Sequence, residues 1–408
     1  MKRILIYGIN FPPEQIGIGK YTGEMAAWLA GRGHELRVVT ALPYYPEWRV
    51  REDYTGNEFR IEQWQGMKVW RCPIWVPDRP TGAKRILHLL SFALSSAPVL
   101  LRQVFWRPDI VWVVAPSLMC APAAWLAARL SGAKSWLHMQ DFEVDAAFEL
   151  GILHRAWVRV LVLRVERWLL RRFDGVSTIS ARMAEKLIGK GVPAARVRVV
   201  ENWVNLDIVV PMNGPIALRS ELGITAETCV VLYSGNMAEK QGLEIVVEAA
   251  RLLRERHHIT FILCGEGPAR ARLGRLSAGL PNIRFLALQP AERLNELLNL
   301  ADIHLLPQRA EVADLVMPSK LTNMLASGRP VVSTAAPGTQ VDEMVRRCGI
   351  VVPPGDVDAF AGAIELLAGN SSRRSELGRS GREYAESNWA RDEILARFEN
   401  ELFALCGW

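Results

Sequence analysis

The 408 residues carry 49 Lys and Arg against 43 Asp and Glu, a formal charge of +6, and half of them are hydrophobic. That composition excludes a disordered chain, and the length exceeds one comfortable core, so two domains of about 200 residues each are expected. Six scattered cysteines, without C-x-x-C spacing or companion histidines, argue against a zinc site or a disulfide framework and fit a reducing cytoplasm.

Met1-Lys2-Arg3 ahead of Ile4-Leu5-Ile6-Tyr7-Gly8 has the outline of a signal peptide. Its apolar run is short and meets Asn10-Phe11-Pro12-Pro13, so Lys2–Gly8 reads better as a first buried strand. Gly17-Ile18-Gly19-Lys20-Tyr21-Thr22-Gly23 then opens a helix over Tyr21–Gly31. Gly17 and Gly19 let backbone approach a phosphate or sugar closely, and a helix N-terminus favours negative charge. A dinucleotide fingerprint needs G-x-G-x-x-G and an acidic residue closing the next strand. Here the third glycine is one place late, and the strand Glu35–Thr40 runs into Ala41-Leu42-Pro43. The dehydrogenase reading fails.

Ile86–Leu101 has no charged residue, but it is shorter than the roughly 20 apolar residues of a membrane span, and Pro98 is expected to interrupt it. Strands follow at Asp109–Val114, Lys134–His138 and Gly175–Ser180. Arg155–Arg172 sets arginines at 155, 159, 164, 167, 171 and 172 among Val158, Leu161, Val162, Val165, Trp168 and Leu169. That pattern suits a helix lying in a membrane interface; the alternative is a solvated surface helix with a core face. The first 205 residues hold 28 Lys and Arg against 18 Asp and Glu, and 12 of the 14 tryptophans. A basic, tryptophan-rich half favours an anionic interface, and no nucleic-acid motif accompanies the charge.

Residues 201–214 read as a linker. Beyond it, strands are expected at Val230–Gly235, Ile259–Gly265, Ile283–Leu286, Ile303–Leu306, Val331–Thr334 and Gly349–Val352, with a last helix over about Arg373–Leu405. Strands alternating with helices in both halves imply parallel sheets covered on both faces.

Four stretches could carry chemistry. Trp136-Leu137-His138-Met139-Gln140-Asp141 follows a strand, where α/β sheets place ligands; a capping or core polar cluster is the bland alternative. Ser234-Gly235-Asn236-Met237-Ala238-Glu239-Lys240-Gln241-Gly242 follows another strand, and Cys264-Gly265-Glu266-Gly267 a third. Pro318-Ser319-Lys320-Leu321-Thr322-Asn323, ended by Gly328, reads as a helix whose first amides point at an anion. Asp356-Val357-Asp358 spells a D-x-D metal motif, but its place after Pro353-Pro354-Gly355 makes Asp356 an N-cap.

The Pro318–Gly328 stretch resembles the donor-binding helix of glycosyltransferase family 4, and with Tyr7–Glu14 and His138-Met139-Gln140-Asp141 the likeness spans almost the whole chain. The resemblance implies the GT-B fold: α/β, two Rossmann-like doubly wound domains facing across a cleft. Residues 1–205 would form an acceptor-binding, membrane-docking domain and 206–385 a nucleotide-sugar domain, with 386–408 crossing back. In the family the Gly17–Gly19 loop touches donor phosphates and shapes the acceptor site, His138 and Asp141 serve the reacting sugar, Lys240 meets the diphosphate, and Gly265 and Glu266 edge the base. Ser319, Lys320, Leu321, Thr322 and Asn323 hold phosphate and ribose. The chain departs from the common family pattern at Asn236, where Arg is usual, at Gln241, where Lys is usual, and at Leu315 and Asn323, where two glutamates are usual. Pro318-Ser319-Lys320 and Tyr7-Gly8-Ile9-Asn10-Phe11-Pro12-Pro13-Glu14 instead resemble family members that build colanic-acid-type exopolysaccharide. They imply a GDP-sugar donor, GDP-L-fucose foremost, a polyprenyl-diphosphate-linked saccharide acceptor, retention of anomeric configuration as the domains close, no metal or cofactor, and a peripheral place on the inner face of the cell membrane. A UDP-sugar transferase, a sugar-nucleotide 2-epimerase and an inactive scaffold of a polysaccharide assembly complex remain alternatives.

Overall fold

The computed structural model describes every residue except 15–16, 55, 79–81, 116–117, 143, 146–155, 213, 215, 310–319 and 408, and the backbone alone of Ala156 and Lys240. The chain divides into two compact units, Met1–Glu201 with Ile394–Trp408, and Asn202–Glu393.

In the first unit apolar β-branched runs form an eight-stranded sheet. Its strands are β1 (Arg3–Gly8), β2 (Glu35–Ala41), β3 (Arg60–Trp64), β4 (Met67–Cys72), β5 (Ile110–Ala115), β6 (Lys134–Met139), β7 (Gly175–Thr178) and β8 (Val197–Val199), in the order β3-β4-β2-β1-β5-β6-β7-β8. Only the β3–β4 hairpin is antiparallel. β5 is buried along its whole length, as continuous apolar strands with helices on both faces must be. The C-terminal segment belongs to this unit: Phe398 lies 5.4 Å from the Trp112 ring and 5.7 Å from the Trp136 ring. Beside it, Glu399 accepts from Trp28 Nε1 at 3.1 Å and meets His34 Nε2 at 3.2 Å.

The second unit has six parallel strands, β9 (Cys229–Ser234), β10 (Ile259–Cys264), β11 (Ile283–Leu286), β12 (Ile303–Leu306), β13 (Val331–Thr334) and β14 (Gly349–Val352), in the order β11-β10-β9-β12-β13-β14.

Four elements differ from expectation. The β3–β4 hairpin and the three-residue β8 were not anticipated; in the hairpin apolar Ile61 faces solvent while Arg71 is buried, which hides the alternation. The apolar helix spans Gly82–Arg102 and runs straight through Pro98. Pro98 deprives only the Leu94 carbonyl of its partner, and Leu94 sits on the helix's exposed side, where water can replace it. The last helix is two, Ser371–Asn388 and Arg391–Ala404. Between them the Trp389 carbonyl accepts from Val204 N and Arg391 N donates to the Val204 carbonyl, a β-bridge that breaks the helical ladder. Asp356 is an N-cap, its Oδ1 accepting from Ala359 N at 2.9 Å.

Candidate functional site

Among the parallel strands of each unit the order reverses once, between β1 and β5 and between β9 and β12. At such a reversal the loops leaving the carboxyl ends of neighbouring strands diverge and open a crevice, which is where open α/β sheets bind ligands.

In the second unit the loops after β9 and β10 close on each other through glycines. Gly235, Gly265 and Gly267 have φ of 135°, 140° and 147°, reachable without strain only by glycine. A Cβ on Gly265 would stand 2.1 Å from the Gly235 carbonyl oxygen, and one on Gly267 would stand 2.5 Å from Asn236 Oδ1. Met237 N donates to the Glu266 carbonyl at 2.8 Å, and Tyr233 Oη to the Asn236 carbonyl at 2.6 Å. Lys320, first residue of the helix Lys320–Ala326, comes to the same place. Its Nζ lies 4.0 Å from the Tyr233 ring centroid, and its Cδ stands 3.6 Å from where a Gly235 Cβ would be. A cation is thereby set beside two glycine loops that expose backbone, an arrangement able to hold a phosphate.

Of the other expected residues here, Asn236 is exposed, Leu321 and Thr322 are buried, and Asn323 is half-buried. Gln241 Oε1 is buried with no hydrogen-bond partner among the described residues, an acceptor that a ligand donor would satisfy. Lys240 lies in the turn Glu239–Gln241. Its side chain, like Pro318 and Ser319, falls outside the described residues. Glu266 pairs with Arg270 at 2.5 Å on the rim of a depression lined also by Gly267, Gly274 and Phe285. Sequence reasoning did not single out Tyr233, Arg309 or Arg272. The two arginines clasp Glu244 and Glu239 and fix the turn carrying Lys240 to the end of β12.

In the first unit the loop after β1 is organised by Glu14, quoted in the sequence but assigned no role there. Its Oε1 accepts from the backbone N of Tyr44 (3.1 Å) and Tyr45 (3.0 Å), and Oε2 from Asn10 Nδ2 (2.9 Å). Burial raises its pKa. A Cβ on Gly19 would meet the Glu14 Cβ at 2.9 Å, so glycine there is a requirement of this buried carboxylate as much as of any ligand. Gly17, with φ 64°, is the residue before the helix Ile18–Gly31.

His138 sits one residue before the carboxyl end of β6 and is 2% exposed. Its Nδ1 shares a 2.8 Å hydrogen bond with Ser177 Oγ, which also accepts from Trp136 Nε1, and its Nε2 lies 3.1 Å from the Gln140 amide nitrogen. Burial pushes its pKa down to about 4, so the ring is a neutral bridge between Ser177 and the buried Gln140. Asp141, half-buried, follows two places after the strand. Gln140, quoted in the sequence with no role assigned, lies two residues from His138; Ser177 was missed because a single buried partner on a neighbouring strand leaves no mark in local sequence.

Comparison with known proteins agrees with this geometry. Residues 17–203 match the glycosyl transferase 4-like domain and residues 228–370 the glycosyl transferases group 1 domain. A protein of Escherichia coli K12 named for colanic acid biosynthesis, the glycosyl transferase WcaI, is 42% identical over 98% of this chain and 99% of its own length. A GDP-mannose-dependent alpha-(1-6)-phosphatidylinositol monomannoside mannosyltransferase of Mycolicibacterium smegmatis is 27% identical over 95% of this chain and 94% of its own. Among solved structures, sucrose-phosphate synthase of Thermosynechococcus elongatus superposes with a TM-score of 0.76 at 18% identity, covering 99% of this chain and all of the synthase. Anabaena HepE with UDP-glucose superposes with 0.72 at 17%, again over 99% of this chain and all of HepE. These two likenesses show the fold, which is GT-B. The near-complete match at 42% identity shows the family: the chain belongs to the bacterial glycosyltransferases of family 4 and is a nucleotide-sugar-dependent glycosyltransferase.

Proposed function

We propose that this enzyme moves L-fucose from GDP-L-fucose onto a polyprenyl-diphosphate-linked saccharide during assembly of a colanic-acid-type exopolysaccharide, with retention of configuration, while docked on the inner face of the cell membrane. The observation that carries the donor side is the convergence of Lys320 with the glycine loops of β9 and β10 at the strand-order reversal. Lys240, Gln241 and the Ser319–Asn323 segment complete the donor contacts, and His138 and Asp141 serve the reacting sugar. Charge leaving with the diphosphate is stabilised by these cations and backbone dipoles. The exopolysaccharide assignment is supported by the relative named for colanic acid biosynthesis, and fucose by the Pro318-Ser319-Lys320 and Tyr7–Glu14 resemblances.

Membrane docking is supported by the helix Ala156–Leu170. Trp157, Val160, Leu161, Val165 and Trp168 form its exposed stripe at helical spacing, interleaved with Arg159, Arg164 and Arg167. A solvated surface helix would turn this stripe inward; here Glu166, Leu169 and Leu170 face the core. Trp168 also packs edge-on to Trp125 of the helix Ala121–Ser131, whose Leu126 and Leu130 are exposed. Apolar exposure flanked by arginine suits an anionic lipid surface. Among the described residues one helix, Gly82–Arg102 continued to Trp106, is long and apolar enough to cross a bilayer; its Leu89, Phe92 and Leu100 are buried against the unit, while Leu87, Leu90 and Leu94 are exposed.

The test is turnover by the purified enzyme on lipid-linked saccharide extracted from an exopolysaccharide-producing strain, with GDP-fucose, GDP-mannose, UDP-glucose, UDP-galactose and UDP-N-acetylglucosamine offered in turn. Transfer from GDP-fucose with the donor's anomeric configuration kept, read by NMR, is expected. Transfer from UDP donors alone would move the assignment to a UDP-sugar transferase, and no transfer from any donor would leave a scaffold.

A further inference from the structure

The first unit holds a second cluster of rings that the donor site does not use. Tyr44 and Trp48 lie in the loop after β2, and His88 in the second turn of the helix Gly82–Arg102. Ring centroids are 4.6 Å apart for Tyr44 and His88, 5.2 Å for Trp48 and His88, and 5.7 Å for Tyr44 and Trp48. His88 is 1% exposed, yet among the described residues only one of its nitrogens is engaged. Nδ1 donates to the Trp75 carbonyl at 2.7 Å, which places the proton there and leaves Nε2 a buried acceptor with no hydrogen-bond partner among the described residues. Burial holds the imidazole neutral by lowering its pKa.

Two further facts mark the cluster as a site. Trp48 has φ 53°, a left-handed backbone that a bulky side chain adopts only where its surroundings impose it, and such positions concentrate at ligand sites. The loop is also held firmly. Glu14 accepts from Tyr44 N and Tyr45 N, Arg49 N donates to the Tyr44 carbonyl, and Arg51 N to the Pro43 carbonyl. Glu14 thereby joins this loop to the segment after β1, at the carboxyl edge where the strand order reverses.

A flat ring with an unsatisfied acceptor beside it is the chemistry that recognises a pyranose: the sugar's C–H face lies on the aromatic surface and a hydroxyl donates to the nitrogen. We propose that Trp48, Tyr44 and His88 form a subsite for one pyranose ring of the saccharide acceptor, with half-buried Trp48 as stacking platform and His88 Nε2 receiving a sugar hydroxyl. This rests on the reading that the acceptor is a saccharide. The neighbouring Leu87 and Leu90, exposed on the same helix, give an apolar border suited to an acceptor that carries a lipid.

Binding of methyl α-D-glucopyranoside, methyl α-D-galactopyranoside and methyl β-N-acetylglucosaminide is read by saturation-transfer NMR on the full chain, beside the acceptor KM in the transfer assay. The wild-type protein should transfer saturation to the ring protons of at least one glycoside. Trp48→Ala should abolish that signal and raise acceptor KM by about tenfold, roughly 1.4 kcal/mol, with nucleotide affinity unchanged; Trp48→Phe should recover most of it. His88→Asn keeps a donor for the Trp75 carbonyl but removes Nε2, and should weaken the same signal. Unchanged saturation transfer and acceptor KM in both Trp48→Ala and His88→Asn, with circular dichroism intact, would overturn the subsite. So would a wild-type protein that binds none of the glycosides. Glycoside binding needs no turnover, so a protein that binds but transfers from no donor would sink the proposed function alone.

Discussion

Lys320 is the side chain on which nucleotide recognition turns, because it stands over Tyr233 and beside Gly235 where the second unit's loops diverge. Lys320→Ala should weaken GDP or UDP binding by about 1.5–3 kcal/mol, the worth of a charge-assisted hydrogen bond, and Lys240→Ala by a similar amount. Isothermal calorimetry decides it, and an unchanged dissociation constant removes the residue in question from the site. His138 makes a different expectation. Its ring bridges Ser177 and Gln140 and is held neutral by burial, with a pKa near 4. His138→Ala should therefore lower kcat more than nucleotide affinity, by loosening Gln140. The wild-type rate profile should show no ionisation belonging to His138 between pH 5 and 8. An NMR titration placing its midpoint near 6.5 would contradict this.

At the scale of elements, the helix Ala156–Leu170 carries two opposed faces, and each makes a prediction. Outward, replacing Arg159, Arg164 and Arg167 by Glu should release much of the protein from anionic vesicles, at about 1 kcal/mol or less for each charge removed. Trp157→Ala should weaken the part of binding that salt does not screen. Equal recovery of wild type and triple variant in the vesicle pellet would make the helix an ordinary surface. Inward, Glu166 is 2.5 Å from Lys190 Nζ, which also meets Asp145 at 2.8 Å. Lys190→Met would strand a buried carboxylate and should cost about 3–5 kcal/mol in urea unfolding, much of it recovered by adding Glu166→Leu. These faces show what sequence could and could not carry. Arginines alternating with apolar residues announced an amphipathic helix, but which face meets solvent is decided by Glu166 finding Lys190, a pairing across 24 residues with no local signature. The same limit hid the Ser177–His138 bond. The second sheet and the central strands of the first were legible because fully buried parallel strands are continuous apolar runs, and the glycine loops were legible because backbone contact tolerates no other residue.

For the molecule as a whole, each unit keeps one neutral histidine inside its sheet. Burial takes His138 in the first to a pKa of about 4 and His304 in the second to about 3, the latter helped by the neighbouring Arg329 charge. Free histidine titrates near 6.5, so below that pH the unfolded chain binds protons that the folded units refuse, and stability falls as pH drops. The loss begins near pH 6.5 and levels off near each folded value. For His138 it reaches on the order of 3 kcal/mol, and for His304 at least as much. Glu14 and Glu166 act in the opposite sense, since burial raises their folded pKa and favours their protonated forms at low pH. Both lie in the first unit, so acid should act more steeply on the second, which has His304 without such an offset from either. His304→Leu leaves Ser327 bonded to the Met324 carbonyl and removes the titrating group. Between pH 6.5 and 4 the unfolding free energy of the second unit should then fall less steeply than in the wild type, followed by urea denaturation with hydrogen exchange of the β9, β12 and β13 amides as the local probe. Parallel pH profiles for variant and wild type would show that burial of His304 does not set the acid limit of this unit.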